Sequence, residues 1–180
     1  MNLPNKITVF RFFLVPLFAC IFLLQFSWSN TTALIVFLVA CITDFFDGYL
    51  ARKNHQVTDF GKLMDPLADK LLICTALVCF VELRPNFRAW CAIIIVAREF
   101  IISGVRQLAA EKNTIIMASW WGKTKTVVQM IMSVLFILDL QYQWFILLEN
   151  IFMWAAAALT VISLIDYIVK NRQIFVNASK

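Results

Sequence analysis

The chain has 180 residues, of which 62% are hydrophobic and only 15% charged, with a formal net charge of +5. Apolar runs of membrane-spanning length, roughly 18 residues or more, recur along nearly all of it, which excludes an ordinary soluble domain and makes the basic excess a matter of membrane topology rather than of nucleic-acid binding. Cys20, Cys41, Cys74, Cys79 and Cys91 are scattered through apolar stretches with no CxxC pair, so they read as small buried hydrophobes rather than as a disulfide or zinc framework.

The first predicted span covers residues 6–26, and its run from Phe12 to Leu24 is apolar all round, unlike the one-sided pattern of a surface helix. Ser27-Trp28-Ser29 offers a weak cleavage site, but Arg11 interrupts the start and the chain goes on being apolar, so this segment is expected to be an uncleaved span. Further spans are expected at 32–52, 61–81, 89–108, 124–140 and 145–170. Their connections are short and carry no linker, repeat or low-complexity tract. Residues 1–180 are therefore expected to form a single all-α integral membrane domain of six transmembrane helices.

Basic residues set the direction. Lys6, Arg11, Arg52, Lys53, Lys62, Lys70, Arg106, Lys112, Lys123, Lys125, Lys170, Arg172 and Lys180 fall on one side of this arrangement, whereas the other holds only Arg84 and Arg88. Cytoplasmic loops collect Lys and Arg, so both termini are expected in the cytoplasm. Trp28, Trp90, Trp120, Trp121 and Trp144 lie near predicted span ends, where an indole keeps its ring in the interface and its N–H wet.

The stretch DFFDGYLARKNHQVTDFGKLMDPLAD, residues 44–69, places four aspartates at the ends of the second and third spans, near the cytoplasmic face. At about 100° per residue, Asp44, Asp47, Gly48, Ala51 and Arg52 share an arc of about 140°, and Gly61, Asp65 and Asp69 share one of about 80° on the next helix. Unpaired carboxylates converging in a partly dehydrated cleft repel and lose hydration, so they must be protonated, paired with cations or bound to metal. Arg52, Lys62 and Lys70 cannot balance all four. An all-carboxylate donor set suits a hard divalent ion such as Mg²⁺ or Mn²⁺. The lone His55 reads as a solvated loop residue, and Gly48, Ala51 and Gly61 leave room for close approach of backbone or ligand. Pro66 disfavours helical angles at Asp65, so the third helix is expected to kink or to begin there.

The spacing Asp44-x2-Asp47-Gly48-x2-Ala51-Arg52-x8-Gly61-x3-Asp65-x3-Asp69 resembles the full signature of the CDP-alcohol phosphotransferase family. PNKITVFR, AREFIISGVR and GKTKT resemble the phosphatidylglycerophosphate synthase branch of that family, so the likeness extends over most of the chain. The resemblance implies transfer of the phosphatidyl group of CDP-diacylglycerol to sn-glycerol 3-phosphate, giving phosphatidylglycerol phosphate and CMP. It implies two Mg²⁺ or Mn²⁺ ions held by Asp44, Asp47, Asp65 and Asp69, with Asp69 as general base. By the same likeness Gly48, Ala51, Arg52 and Gly61, together with Asn5, Thr8 and Arg11, contact the CDP headgroup. An enzyme of the inner (cytoplasmic) membrane, surrounded by membrane lipids and facing the cytoplasm, is implied too, and the family suggests a homodimer. A metal-bound carboxylate is a weaker base, so ligand and base are competing roles for Asp69.

The acceptor's phosphate dianion calls for Arg or Lys, and Arg98, Arg106, Lys123 and Lys125 are the candidates. Three of them have a plainer reading: an ion pair with Glu99 or an aspartate for Arg98, and topology or lipid contact for the two lysines at a helix entrance. Another acceptor, as in cardiolipin, phosphatidylserine or phosphatidylinositol-phosphate synthases, is an alternative within the family, and a divalent-cation transporter is one outside it. Asp59, Glu82, Glu111, Asp139 and Glu149 are expected to be structural near span ends, with Asp166 paired to Lys170 at i,i+4.

Overall fold

The computed structural model describes the backbone of residues 3–53, 59–111 and 119–171, and the side chains of 8–43, 67–68, 70–107, 109 and 119–171. Among the described residues there are six helices: α1 (Leu3–Leu23), α2 (Ser29–Lys53), α3 (Asp59–Leu83), α4 (Ala89–Glu111), α5 (Trp120–Leu138) and α6 (Gln143–Lys170). All six expected segments are helical, with ends displaced by a few residues. The first stops at Leu23 rather than 26, where Gln25 takes a left-handed φ of 46° and ends the helical run, and Asp139 does the same after α5 with φ 47°. The fifth starts at Trp120 instead of 124, because its polar opening turn continues the helix. Pro66 neither breaks nor starts α3, which runs from Asp59 through it.

Two compact units divide the chain, the first comprising Met1–Pro85 with Phe136–Asp139 and the second Asn86–Leu135 with Leu140–Lys180. In the first, Phe18 meets Phe22 at 5.6 Å and Phe37 of α2 at 5.8 Å, Phe22 meets Phe80 of α3 edge-on at 5.8 Å, and Phe80 meets Phe136 at 5.7 Å. Fully buried Ala33, Ala40 and Ala76 let the helix backbones approach around these rings. The late residues of α1 and α3 pair, and Asn30 at the start of α2 bonds Arg84 just past the end of α3. Hence α1 and α3 run the same way and α2 runs against them.

In the second unit, the buried residues of α4 (Cys91, Ile95, Arg98, Ile102, Val105, Ala109) and of α6 (Phe145, Glu149, Met153, Ala156, Thr160, Ser163, Tyr167) recur at intervals of three and four. Such stripes make a narrow seam suited to ridges-into-grooves packing. Cys91 Sγ donates to the Met153 carbonyl at 3.6 Å, Trp90 packs on Trp154 at 4.9 Å, and further along both helices Arg98 reaches Ser163, so α4 and α6 are parallel. Glu149 lies near the start of α6 as expected and is buried; Asp166 pairs with Lys170 at 2.7 Å as anticipated.

The distribution of polarity suits a lipid environment. Phe13, Ile35, Val78, Ile93, Leu147 and Val169 are exposed, while Arg11, Lys125, Ser133, Thr160 and Ser163 are buried. Apolar exposure on this scale is foreign to a soluble monomer and is what hydrocarbon contact requires. Among the described residues α6 alone is long and apolar enough by itself to cross a membrane; the apolar stretches Thr8–Leu23 and Ser29–Thr43 are shorter.

Candidate active site

With α2 running against α1 and α3, three helix ends lie toward one end of the first unit: the start of α1, the end of α2 and the start of α3. Asn5, Thr8 and Arg11 lie in the opening turns of α1, Asp44, Asp47, Gly48, Ala51 and Arg52 in the closing turns of α2, and Gly61, Asp65 and Asp69 in the opening turns of α3. Measured from the opposite, Arg84-bearing end at about 1.5 Å per residue, Thr8, Asp44 and Asp69 lie at a level of about 21–22 Å, and Asp47 and Asp65 at about 27 Å. At that ideal rise the four aspartate positions would fall in two tiers, one from each helix in each tier. Their side chains, and those of Asn5, Gly48, Ala51, Arg52 and Gly61, lie outside the described residues. Among the described residues no group of three His, Cys, Asp or Glu could hold a metal ion.

Thr8 and Arg11 are described, and both are buried. At i and i+3 they share one face of α1. An arginine with no exposed surface in an apolar helix is expensive to keep.

The second unit holds a separate cationic cluster. Arg98 Nη1 donates to Glu99 Oε1 at 3.1 Å, and its Nη2 donates to Ser163 Oγ at 2.6 Å. Lys125, 1% exposed, donates from Nζ to the same oxygen of Glu99. Two cations thus share one carboxylate, and the buried Nε of Arg98 has no hydrogen-bond partner. Gly122 faces the same group: a Cβ there would stand 3.4 Å from Arg98 Nη2 and 3.8 Å from Ser163 Oγ. Two turns beyond Arg98, the Arg106 guanidinium lies 6.0 Å from the ring centre of the buried Tyr167. That separation is at the limit of a cation–π contact.

Of the four basic residues expected at an acceptor phosphate, the structure brings Arg98 and Lys125 together and sets Arg106 further along the same helix, while Lys123 is exposed. The pairing of Arg98 with Glu99 considered from sequence exists, but it is one arm of a larger group. Lys125 is not a surface residue at a helix entrance: its stem runs into the unit and its charge is paired inside. Sequence reasoning missed the roles of Glu99, Ser163, Tyr167 and Gly122. The available signal was the spacing of Thr160, Ser163 and Tyr167, which continues the stripe of small residues at Ala156.

Comparison with known proteins places these groups in a family context. Residues 1–162 match the CDP-alcohol phosphatidyltransferase family. The CDP-diacylglycerol–glycerol-3-phosphate 3-phosphatidyltransferase of Bacillus subtilis (strain 168) is 39% identical, over 94% of this chain and 95% of its own. The proteins of the same name from Escherichia coli (strain K12) and Salmonella typhimurium (strain LT2) are 38% and 37% identical, each over 93% of both chains. With a family match running from its first residue to 162 and relatives this similar over nearly its full length, the chain belongs to the CDP-alcohol phosphatidyltransferase family.

Proposed function

We propose that this protein is a membrane enzyme that transfers the phosphatidyl group of CDP-diacylglycerol to sn-glycerol 3-phosphate, releasing CMP and forming phosphatidylglycerol phosphate. The observation that carries this reading is the likeness, over nearly the whole chain, to enzymes named for that reaction. A hydroxyl oxygen of glycerol phosphate attacks the lipid-bearing phosphorus, the bond from that phosphorus to the CMP oxygen breaks, and the hydroxyl proton passes to Asp69. Asp44, Asp47, Asp65 and Asp69 form an all-oxygen donor set that fits two Mg²⁺ or Mn²⁺ ions, which when bound neutralise the pyrophosphate and the departing CMP. Thr8 and Arg11, with Asn5, Gly48, Ala51, Arg52 and Gly61, hold the CDP headgroup.

Arg98 and Lys125, with Arg106 two turns further along α4 and the exposed Lys123 at the start of α5, receive the acceptor's phosphate. Two cationic side chains gathered inside the second unit support a phosphorylated acceptor over serine. The basic-residue bias supports both termini and the reaction on the cytoplasmic side of the inner membrane, and the six apolar helical segments support six crossings in one working domain.

The test is direct. Purified protein supplied with CDP-diacylglycerol, Mg²⁺ and a panel of alcohols releases CMP fastest with glycerol phosphate, and Asp69→Asn loses turnover while nucleotide binding persists. Preference for serine or inositol phosphate overturns the choice of acceptor, and metal flux through vesicles without CMP release overturns the enzyme.

A further inference from the structure

Gly122 is the third residue of α5, and sterics alone do not require a glycine there. Ser119 caps the turn, its Oγ accepting from the Gly122 N–H at 3.2 Å. A Cβ at Gly122 would stand 3.4 Å from Arg98 Nη2, 3.7 Å from Ser119 Oγ and 3.8 Å from Ser163 Oγ. These are contact distances rather than clashes, so alanine fits. All three atoms belong to side chains, so close approach of a neighbouring helix backbone does not demand the glycine either. Alanine would also favour the helix, by up to about 1 kcal/mol.

What faces the position is polar on three sides: a guanidinium from α4, the capping hydroxyl of α5 and a hydroxyl from α6. Gly122 and Ser119 are partly exposed, whereas Arg98 and Ser163 are buried, so the missing side chain leaves a notch that gives access to the Nη2 edge of Arg98. That nitrogen carries two N–H groups, and Ser163 Oγ takes one of them at 2.6 Å. The neighbouring Nε has no hydrogen-bond partner among the described residues.

We propose that Gly122 is a specificity-determining residue for the acceptor: its missing side chain keeps open a notch, lined by Arg98 Nη2, Ser119 Oγ and Ser163 Oγ, that takes the acceptor's phosphate end. This rests on the proposed function. A phosphate oxygen accepting from Nη2 on this side would lie about 2.7–2.9 Å from the nitrogen, within the space that a methyl at 3.4 Å would fill. The methyl would cover the donor and offer no hydrogen bond in return. Glycine at this position therefore gives up some helix stability and leaves a polar edge open to an anion.

Gly122→Ala separates space from stability. Expected is a melting temperature equal to or above that of wild type, with a KM for glycerol phosphate raised about tenfold and a KM for CDP-diacylglycerol within about twofold of wild type. Gly122→Ser fills the same space with a polar group and should raise the acceptor KM at least as much as alanine does. An unchanged acceptor KM in Gly122→Ala overturns the proposal, and a lowered melting temperature alongside it would make the glycine a packing residue. Wild-type acceptor kinetics in Gly122→Ser overturn it too, since the notch would then matter for its polarity and not for its room. The proposed function fails separately: wild-type protein that releases no CMP with glycerol phosphate removes that reading, whereas wild-type turnover beside an unaltered Gly122→Ala removes the notch alone.

Discussion

Arg84 and Arg98 are both buried in apolar surroundings, and they are finished differently. Every nitrogen of Arg84 is engaged: Nε donates to the Phe136 carbonyl at 2.8 Å, Nη2 to Asn30 Oδ1 at 2.9 Å and the Ile137 carbonyl at 3.3 Å, and Nη1 pairs with Asp139 at 2.9 Å. Its guanidinium also lies 4.8 Å from the ring centre of Phe22. One cation meets one anion and two carbonyls left open at the end of α5, so Arg84 serves as a side-chain cap and tie. Arg98 shares its anion with Lys125 and leaves Nε unpartnered. The saturated arginine is structural, whereas the unsaturated one retains a free N–H donor, as the proposed acceptor role requires.

Arg84→Ala tests the first half of this contrast and has the largest expected effect. It removes the buried ion pair with Asp139 and the bonds to the α5 carbonyls, and should cost about 3 kcal/mol, read as a lowered unfolding midpoint in detergent, while the folded fraction keeps its acceptor KM. A shifted KM with intact stability would break the contrast. Arg98→Ala is the mirror image: Glu99 retains Lys125, so stability changes little, but the acceptor KM rises about 30-fold, equivalent to about 2 kcal/mol. Ser163→Ala removes one anchor of the same guanidinium and should raise that KM by only a few-fold, about 1 kcal/mol, in steady-state assays. Gly104→Ala sharpens the contrast from outside both groups. A Cβ at Gly104 meets nothing within 4 Å, so the substitution should stabilise α4 by about 0.5–1 kcal/mol in thermal unfolding and leave kinetics alone.

Much of this was legible in the sequence because it rests on period and spacing. The helices follow from uninterrupted apolar runs, and the signature from Asp44 to Asp69 needs no coordinates to be recognised. What escaped depended on partners distant in the chain. Arg84 looked like a topology residue because Asn30 and Asp139, which complete it, lie 54 and 55 positions away. Lys125 looked exposed because a polar first turn resembles a loop, yet its stem follows α5 inward. Ser163 was one hydroxyl in an apolar span, and such hydroxyls usually bond their own helix, as Thr160 does to the Ala156 carbonyl at 2.6 Å. Nothing in its type foretold a bond to Arg98.

The parallel seam of α4 and α6 fixes an order of assembly. Cys91 waits 62 residues for Met153, and Arg98 waits 65 for Ser163. During synthesis the guanidinium therefore leaves the ribosome long before its α6 hydroxyl exists, whereas Glu99, its immediate successor, emerges with it. A chain arrested before α6 would retain that early pair and lack the seam, which makes the last helix the step that commits the second unit to its native form.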